Sequence, residues 1–159
     1  MKGKILASLL LIILLLPSES KSLQDFSLPS LMDPAKRFSL SEFKGKLILL
    51  NFWTIGCPYC REELTILDKV QSLYPEDVKV IAVLYATPKE IKIVKAWIQQ
   101  ANIRNILVLL DSEGSIFNSY GVIAVPYTVV ISRNGEKLTE FRGALPEEII
   151  ISIVEKSLK

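Results

Sequence analysis

The sequence predicts an α/β sandwich around a mixed β-sheet, and three observations carry that expectation. Apolar runs of buried-strand type alternate with helical apolar stripes. Pro58 stands where a helix would begin, directly after the first long run. Asn134-Gly135 then forms a tight turn between the last two strands. Strands and helices alternate first and a hairpin closes the sheet, an order that calls for parallel and antiparallel neighbours together.

Taken in order, Asp25 to Ser39 carries short alternating segments broken by Pro29 and Pro34 and reads as an N-terminal β-hairpin, and Ser41 to Phe43 reads as one helical turn. Leu47 to Trp53 is a near-continuous apolar run, typical of a strand buried on both faces. Pro58 is placed at a first helical position, where a missing N–H costs nothing. The helix it opens runs to about Tyr74, with Leu64, Leu67, Val70 and Tyr74 as its stripe. Val78 to Tyr85 is a second buried strand. Pro88 to about Ala101 is a helix with Ile91, Val94, Ile98 and Ala101 on one face. Ile106 to Leu110 is a third strand and Ser115 to Tyr120 a short helix. Tyr127 to Ser132 and Leu138 to Arg142 are the hairpin strands. Pro146 opens a final helix with Ile149, Ile150, Ile153, Val154 and Leu158 inward. No internal repeat or linker interrupts residues 25–159.

Half of the chain is apolar and its formal net charge is +2. That charge is too small to argue for nucleic acid, and no Lys/Arg cluster interleaves with aromatics. Residues 1–20 differ in kind from the 21–159 domain. Lys2 and Lys4 precede the apolar run Ile5 to Leu16, which Pro17 closes. A bilayer-spanning helix needs about 20 apolar residues, so the run suits a signal-peptide core. Ser18-Glu19-Ser20 supplies a small-x-small cleavage pattern with Lys21 as the new start; an uncleaved membrane anchor is the competing reading. Either way the domain is expected outside the cytoplasm, periplasmic or on the outer face of the membrane. No cysteine follows the run, so a lipoprotein anchor has no attachment point.

The chain has two cysteines and no histidine. This excludes Cys–His nucleophilic catalysis and histidine metal sites, and two thiols do not complete a structural zinc site. No cofactor is implied. Cys57 and Cys60 bracket Pro58-Tyr59 at the predicted start of the helix. A cysteine there feels unpaired backbone N–H groups and the positive end of the helix dipole, which favour its thiolate. An ordinary thiol with a pKa of about 8.5 is only about 3% ionised at pH 7. Cys60 lies one turn further in, on the side facing Cys57, so the sulfurs can close a small ring. Cys57 is thus expected to be the exposed attacker and Cys60 the shielded resolver. An inert staple is the alternative, but so short a loop constrains the unfolded chain little. Glu63 shares a helix face with Cys60 and Leu67. A partly buried carboxylate there would have its pKa raised and could take or return the Cys60 proton; otherwise it is a solvated surface glutamate. Arg61, Glu62, Thr65 and Asp68 are expected to point elsewhere, mostly to solvent. Trp53 and Trp97 read as packing, and Tyr85, Tyr120 and Tyr127 carry no assigned role.

The segment from Phe52 through Cys57-Pro58-Tyr59-Cys60 to Leu64 resembles the active-site signature of TlpA/ResA-like thiol–disulfide oxidoreductases of the thioredoxin superfamily. Asp25-Phe26-Ser27-Leu28, Phe43-Lys44-Gly45-Lys46 and Val125-Pro126-Tyr127-Thr128 match further landmarks in order, so the resemblance runs from Asp25 to the C-terminus. It implies a thioredoxin-like sandwich, with Pro88 to Leu110 as the central insertion of this branch. It implies that Cys57 and Cys60 form a redox-active disulfide and that Glu63 matches a frequent family glutamate. Pro126 is then cis and faces the cysteines, and Val125 offers its backbone to an extended substrate. The implied partners are exported proteins with reactive cysteines and a membrane-bound electron donor. Many such relatives act as reductants, notably on apocytochrome c during cytochrome c maturation. Two departures stand out: Gly56 occupies the position where the family usually has tryptophan, and Pro58-Tyr59 is a dipeptide more familiar from glutaredoxins.

Two other readings compete. Thr54-x-x-Cys57 echoes thiol peroxidases of the peroxiredoxin type, but Leu50 stands where that site needs proline. A Cu(I) module using two soft thiolates is the other, and its relatives usually add a histidine that this chain lacks.

Overall fold

The structure, a computed structural model, describes residues 23–159; the export-signal or anchor reading of residues 1–20 lies outside the described residues. Strands β1 (Ser27–Pro29) and β2 (Arg37–Ser39) form the expected hairpin, and a single 3-10 turn covers Leu40–Phe43. The main sheet contains β3 (Leu47–Trp53), β4 (Val78–Leu84), β5 (Leu107–Leu110), β6 (Tyr127–Ile131) and β7 (Lys137–Arg142), in the order β5-β4-β3-β6-β7. β3, β4 and β5 run parallel, while β6 is antiparallel to both β3 and β7. The helices are α1 (Pro58–Leu73), α2 (Pro88–Gln100), α3 (Ser115–Ser119) and α4 (Glu147–Ser157). Among the described residues no helix is long and apolar enough to cross a membrane.

Steps from β3 to β4 to β5 go the same way across the sheet. Right-handed crossovers therefore put α1 and α2 on one face. Their apolar stripes meet Leu47, Leu49 and Trp53 of β3 and Val78, Val80 and Ala82 of β4, and α4 adds Ile150 and Val154. The opposite face carries Ile48, Leu50 and Phe52, covered by Phe26, Leu28, Leu40, Phe117 of α3 and Tyr120 just after it. Every residue of β3 is buried, which explains why its sequence shows no polar alternation. The hairpin also shields the free side of β5, since Leu31 N–H donates to the Val108 carbonyl at 2.9 Å. β5 reaches β4 only from Ile81 onward, and the Gln71 carboxamide serves the backbone beyond it, donating to Val78 O (2.9 Å) and accepting from Val80 N–H (2.8 Å).

The structure corrects two expectations. Asp68 does not face solvent: it is buried, and its Oδ1 accepts from the N–H groups of Arg104, Asn105 and Ile106 while Oδ2 accepts from Asn105 Nδ2. The loop entering β5 has no strand to pair with there, so a carboxylate from α1 satisfies its donors. Asp68→Ala is expected to lower the unfolding free energy by about 3 kcal/mol, given several orphaned donors to a charged group. Urea unfolding of the oxidised protein measures it. Ile149 is exposed, and Ile151 packs against the core in its place. α4 begins at Glu147, with Pro146 as its cap, and that start sets which isoleucines point inward. Two tyrosines also gain partners: Tyr120 Oη donates to Gln24 O at 2.8 Å and Tyr127 Oη to Glu140 Oε2 at 2.7 Å.

Candidate functional site

β3 ends at Trp53, in the middle of the sheet, and the chain turns at once into α1. Cys57 N–H donates to Thr54 O at 3.3 Å to close that turn, and Cys57 is the N-cap residue of α1 with Pro58 in the first turn. Its sulfur takes the place of the usual capping oxygen: Cys60 N–H donates to Cys57 Sγ at 3.1 Å. Cys57 and Cys60 form a disulfide, with Cα atoms 5.3 Å apart. Their exposure differs as expected. Cys57 is partly exposed between exposed Gly56 and Pro58, whereas Cys60 is 0% exposed and belongs to the core. An incoming sulfur can reach Cys57 alone. The N–H aimed at Cys57 Sγ would face a thiolate once the disulfide opens, and the helix dipole adds to it.

β6 is antiparallel to β3, with Tyr127 opposite Phe52, so the residues just before β6 lie beside those just after β3. This register places Val125 and Pro126 next to the cysteines. The Val125–Pro126 peptide bond is cis, as the resemblance implied, and Cys57 Sγ lies 3.9 Å from Val125 O. In the disulfide the sulfur has no proton to donate, so this is a contact; in the thiol form the same carbonyl can accept from S–H. Tyr59, between the two cysteines, is 67% exposed, and Ile123, two residues before Val125, is 89% exposed.

Glu63 lies on the inner side of α1, one turn beyond Cys60, and is 1% exposed. Leu145 N–H donates to its Oε1 at 2.9 Å and Asn51 Nδ2 to its Oε2 at 2.9 Å. Asn51 Nδ2 also donates to Thr128 Oγ1 at 2.9 Å. Desolvation raises the Glu63 pKa above its usual 4.5, and the Leu145 and Asn51 donors only partly oppose that. The surface-glutamate reading is therefore excluded by burial. A small cavity beside Glu63, about 10 Å³, is walled by Thr128 and apolar residues of β3, β6, β7 and α4.

Sequence reasoning missed Asn51, Thr128 and the Leu145 amide. A signal for Asn51 was present, as the lone polar residue in the run Leu47 to Trp53. Thr128 and Leu145 carried none, because only the pairing of β3 with β6 and the packing of the loop before α4 bring them to Glu63. The Asn51–Thr128 contact follows from their being opposite one another in the β3–β6 ladder.

Gly56 has no conformational need to be glycine. A Cβ built there meets nothing within 4 Å, and its φ lies outside the left-handed region. Gly56→Ala is therefore expected to change stability by no more than about 0.5 kcal/mol. Gly56→Trp should fold equally well while changing which disulfide peptides react fastest. Urea midpoints and competition between peptides check the pair.

A protein-family model described as Redoxin matches residues 18–158. The chain is 31% identical over 121 residues to the thiol-disulfide oxidoreductase ResA of Bacillus thuringiensis subsp. konkukian, covering 76% of this chain and 69% of that one. It is 31% identical over 124 residues to the thiol:disulfide interchange protein DsbE of Pseudomonas aeruginosa, covering 78% and 66% respectively. Its fold is similar to the crystal structure of the exposed lipoprotein thioredoxin of Streptococcus pneumoniae, with a TM-score of 0.72, 26% identity, and coverage of 84% of this chain and 99% of that one.

Proposed function

The chain belongs to the Redoxin family and is a thiol–disulfide oxidoreductase of thioredoxin-like fold, and from that premise we propose that it acts outside the cytoplasm as a reductant of exported proteins. One observation carries the reading: a partly exposed cysteine at a helix start, joined to a sealed one, beside the backbone carbonyl of Val125. A polypeptide is the fitting partner, because Val125 offers backbone groups and Tyr59 and Ile123 offer apolar contact.

In the reduced protein the Cys57 thiolate attacks one sulfur of a substrate disulfide. The substrate S–S bond breaks, one substrate thiolate leaves and takes a proton, and a mixed disulfide forms. Glu63 accepts the proton of Cys60, whose thiolate then attacks Cys57 Sγ; the mixed S–S bond breaks and the second substrate sulfur leaves as a thiolate and takes a proton. The substrate gains two electrons and the protein ends with the Cys57–Cys60 disulfide. A membrane-bound dithiol donor returns the electrons.

The extracytoplasmic placement is supported by the run Ile5 to Leu16 and by the exposed lipoprotein among the similar structures. The reducing direction, and cytochrome c haem-site cysteines as substrate, rest on the TlpA/ResA resemblance. The reduction potential of the Cys57–Cys60 couple tests the direction. A value near that of thioredoxin, about −270 mV, is expected, whereas one near the DsbA value of about −120 mV would make the protein a disulfide donor. Protease added outside intact cells is expected to reach the domain.

A further inference from the structure

We propose that Asn51 is a positioning residue that satisfies Glu63 in both of its protonation states, by turning its carboxamide through half a turn when Glu63 gains a proton. The proposal rests on Glu63 as the acceptor of the Cys60 proton and assigns a role to a residue that does not itself touch the reacting sulfurs.

Asn51 sits in the middle of β3 and is 0% exposed. One atom of its carboxamide, Nδ2, makes both of its contacts: 2.9 Å to Glu63 Oε2 and 2.9 Å to Thr128 Oγ1. The other atom, Oδ1, is buried without a partner. A carboxamide has nearly the same shape after half a turn, with two N–H donors at one end and two lone pairs at the other. As it stands, both N–H groups donate, to a carboxylate and to a hydroxyl acting as acceptor. After the turn, Oδ1 takes the place of Nδ2, and its two lone pairs accept from a protonated Glu63 and from the Thr128 hydroxyl. Both neighbours suit either arrangement, because a carboxyl group changes from acceptor to donor on protonation and a hydroxyl can do either.

The consequence is chemical. Burial makes an unmatched polar group costly, so a partner that could only donate would resist the proton and one that could only accept would resist the anion. Asn51 keeps a hydrogen bond to each neighbour as the proton moves from Cys60 S–H to the carboxylate, the end of the carboxamide that lacks a partner being Oδ1 beside the anion and Nδ2 beside the acid. Leu145 N–H holds Oε1 throughout, since the carbonyl oxygen of a carboxylic acid still accepts, so the proton settles on Oε2, facing Asn51. The side chains facing Glu63 from other elements, including Leu49, Thr128, Val130, Phe141, Ile150 and Ile153, are not titratable. The titratable group sharing its helix face is Cys60.

The test follows the side-chain amide of Asn51 and the carboxyl carbon of Glu63 by NMR across pH in the reduced, full-length protein. The amide resonances are expected to shift with the midpoint of Glu63 and to lose that dependence in Glu63→Gln. Amide resonances that stay constant while Glu63 titrates would overturn the proposal. In Asn51→Leu, similar in shape but with neither donor nor acceptor, both protonation states of Glu63 lose a partner, so its proton affinity should rise by no more than about tenfold, the excess of a charge-assisted over a neutral hydrogen bond; a rise of about a hundredfold or more, as for a partner that serves the anion alone, would overturn the proposal. Should Glu63→Gln leave disulfide exchange unaltered, the proton-acceptor role of Glu63 falls, while the coupled titration of Asn51 and Glu63 remains measurable on its own.

Discussion

Cys57→Ser is expected to reduce turnover to the uncatalysed background and to yield no covalent adduct, whereas Cys60→Ser should form a stoichiometric mixed disulfide and then stop. The asymmetry follows from access. Cys60 is sealed on the buried face of α1, so it has no path to a substrate when Cys57 is missing. In Cys60→Ser the attacker keeps its surroundings, because the N–H that faces its sulfur belongs to the backbone of position 60 and survives the substitution. Attack then proceeds, but the thiol that would release the product is gone. Incubation with a disulfide peptide, followed by mass spectrometry without reductant, separates the two outcomes. An adduct on Cys57→Ser would reverse the assignment of attacker and resolver.

Glu63→Gln is expected to slow resolution of the mixed disulfide by about a hundredfold, the lower range for loss of a positioned acid–base group. Glutamine fills the same space and its carbonyl oxygen can still accept from Leu145 N–H, but it cannot carry the proton of Cys60. Stopped-flow kinetics should show the first attack little changed and the second step slowed. Stability gives a second signature. The Glu63 pKa is raised in the folded protein, chiefly because burial disfavours the anion. The native state therefore binds this proton more tightly than the unfolded chain does. The stabilisation is complete below the usual value of 4.5 and is lost as pH rises through the folded pKa. Relative to Glu63→Gln, the parent protein should thus lose stability with rising pH across that window, and urea midpoints from about pH 4 to 8 would record it. A difference independent of pH would mean that Glu63 titrates as an ordinary surface carboxylate.

Each strand and helix of the domain was legible in the sequence because its signal is local. The β3 run, Pro58 at the start of α1 and the Asn134-Gly135 turn each act within a few residues. The sulfur pair was legible for the same reason: its spacing and its place at a helix start lie within one turn. Where the periodicity was interrupted the reading failed, as with Ile149, whose orientation depends on where α4 begins after Pro146. Asp68 misled because an acidic side chain is normally solvated, and only the loop at Arg104–Ile106 reveals the donors it serves.

By itself, then, the sequence determined the order of elements, the Cys57–Cys60 pair and its more exposed member. Tertiary structure alone decided what surrounds them. It set Thr128 across from Asn51 through strand register, brought the Leu145 amide to a carboxylate 82 positions earlier, and laid Val125 against Cys57. The physical reason is range: propensity and periodicity act between neighbours along the chain, whereas the polarity around a buried carboxyl group depends on which distant backbone and side-chain groups the sheet brings to it.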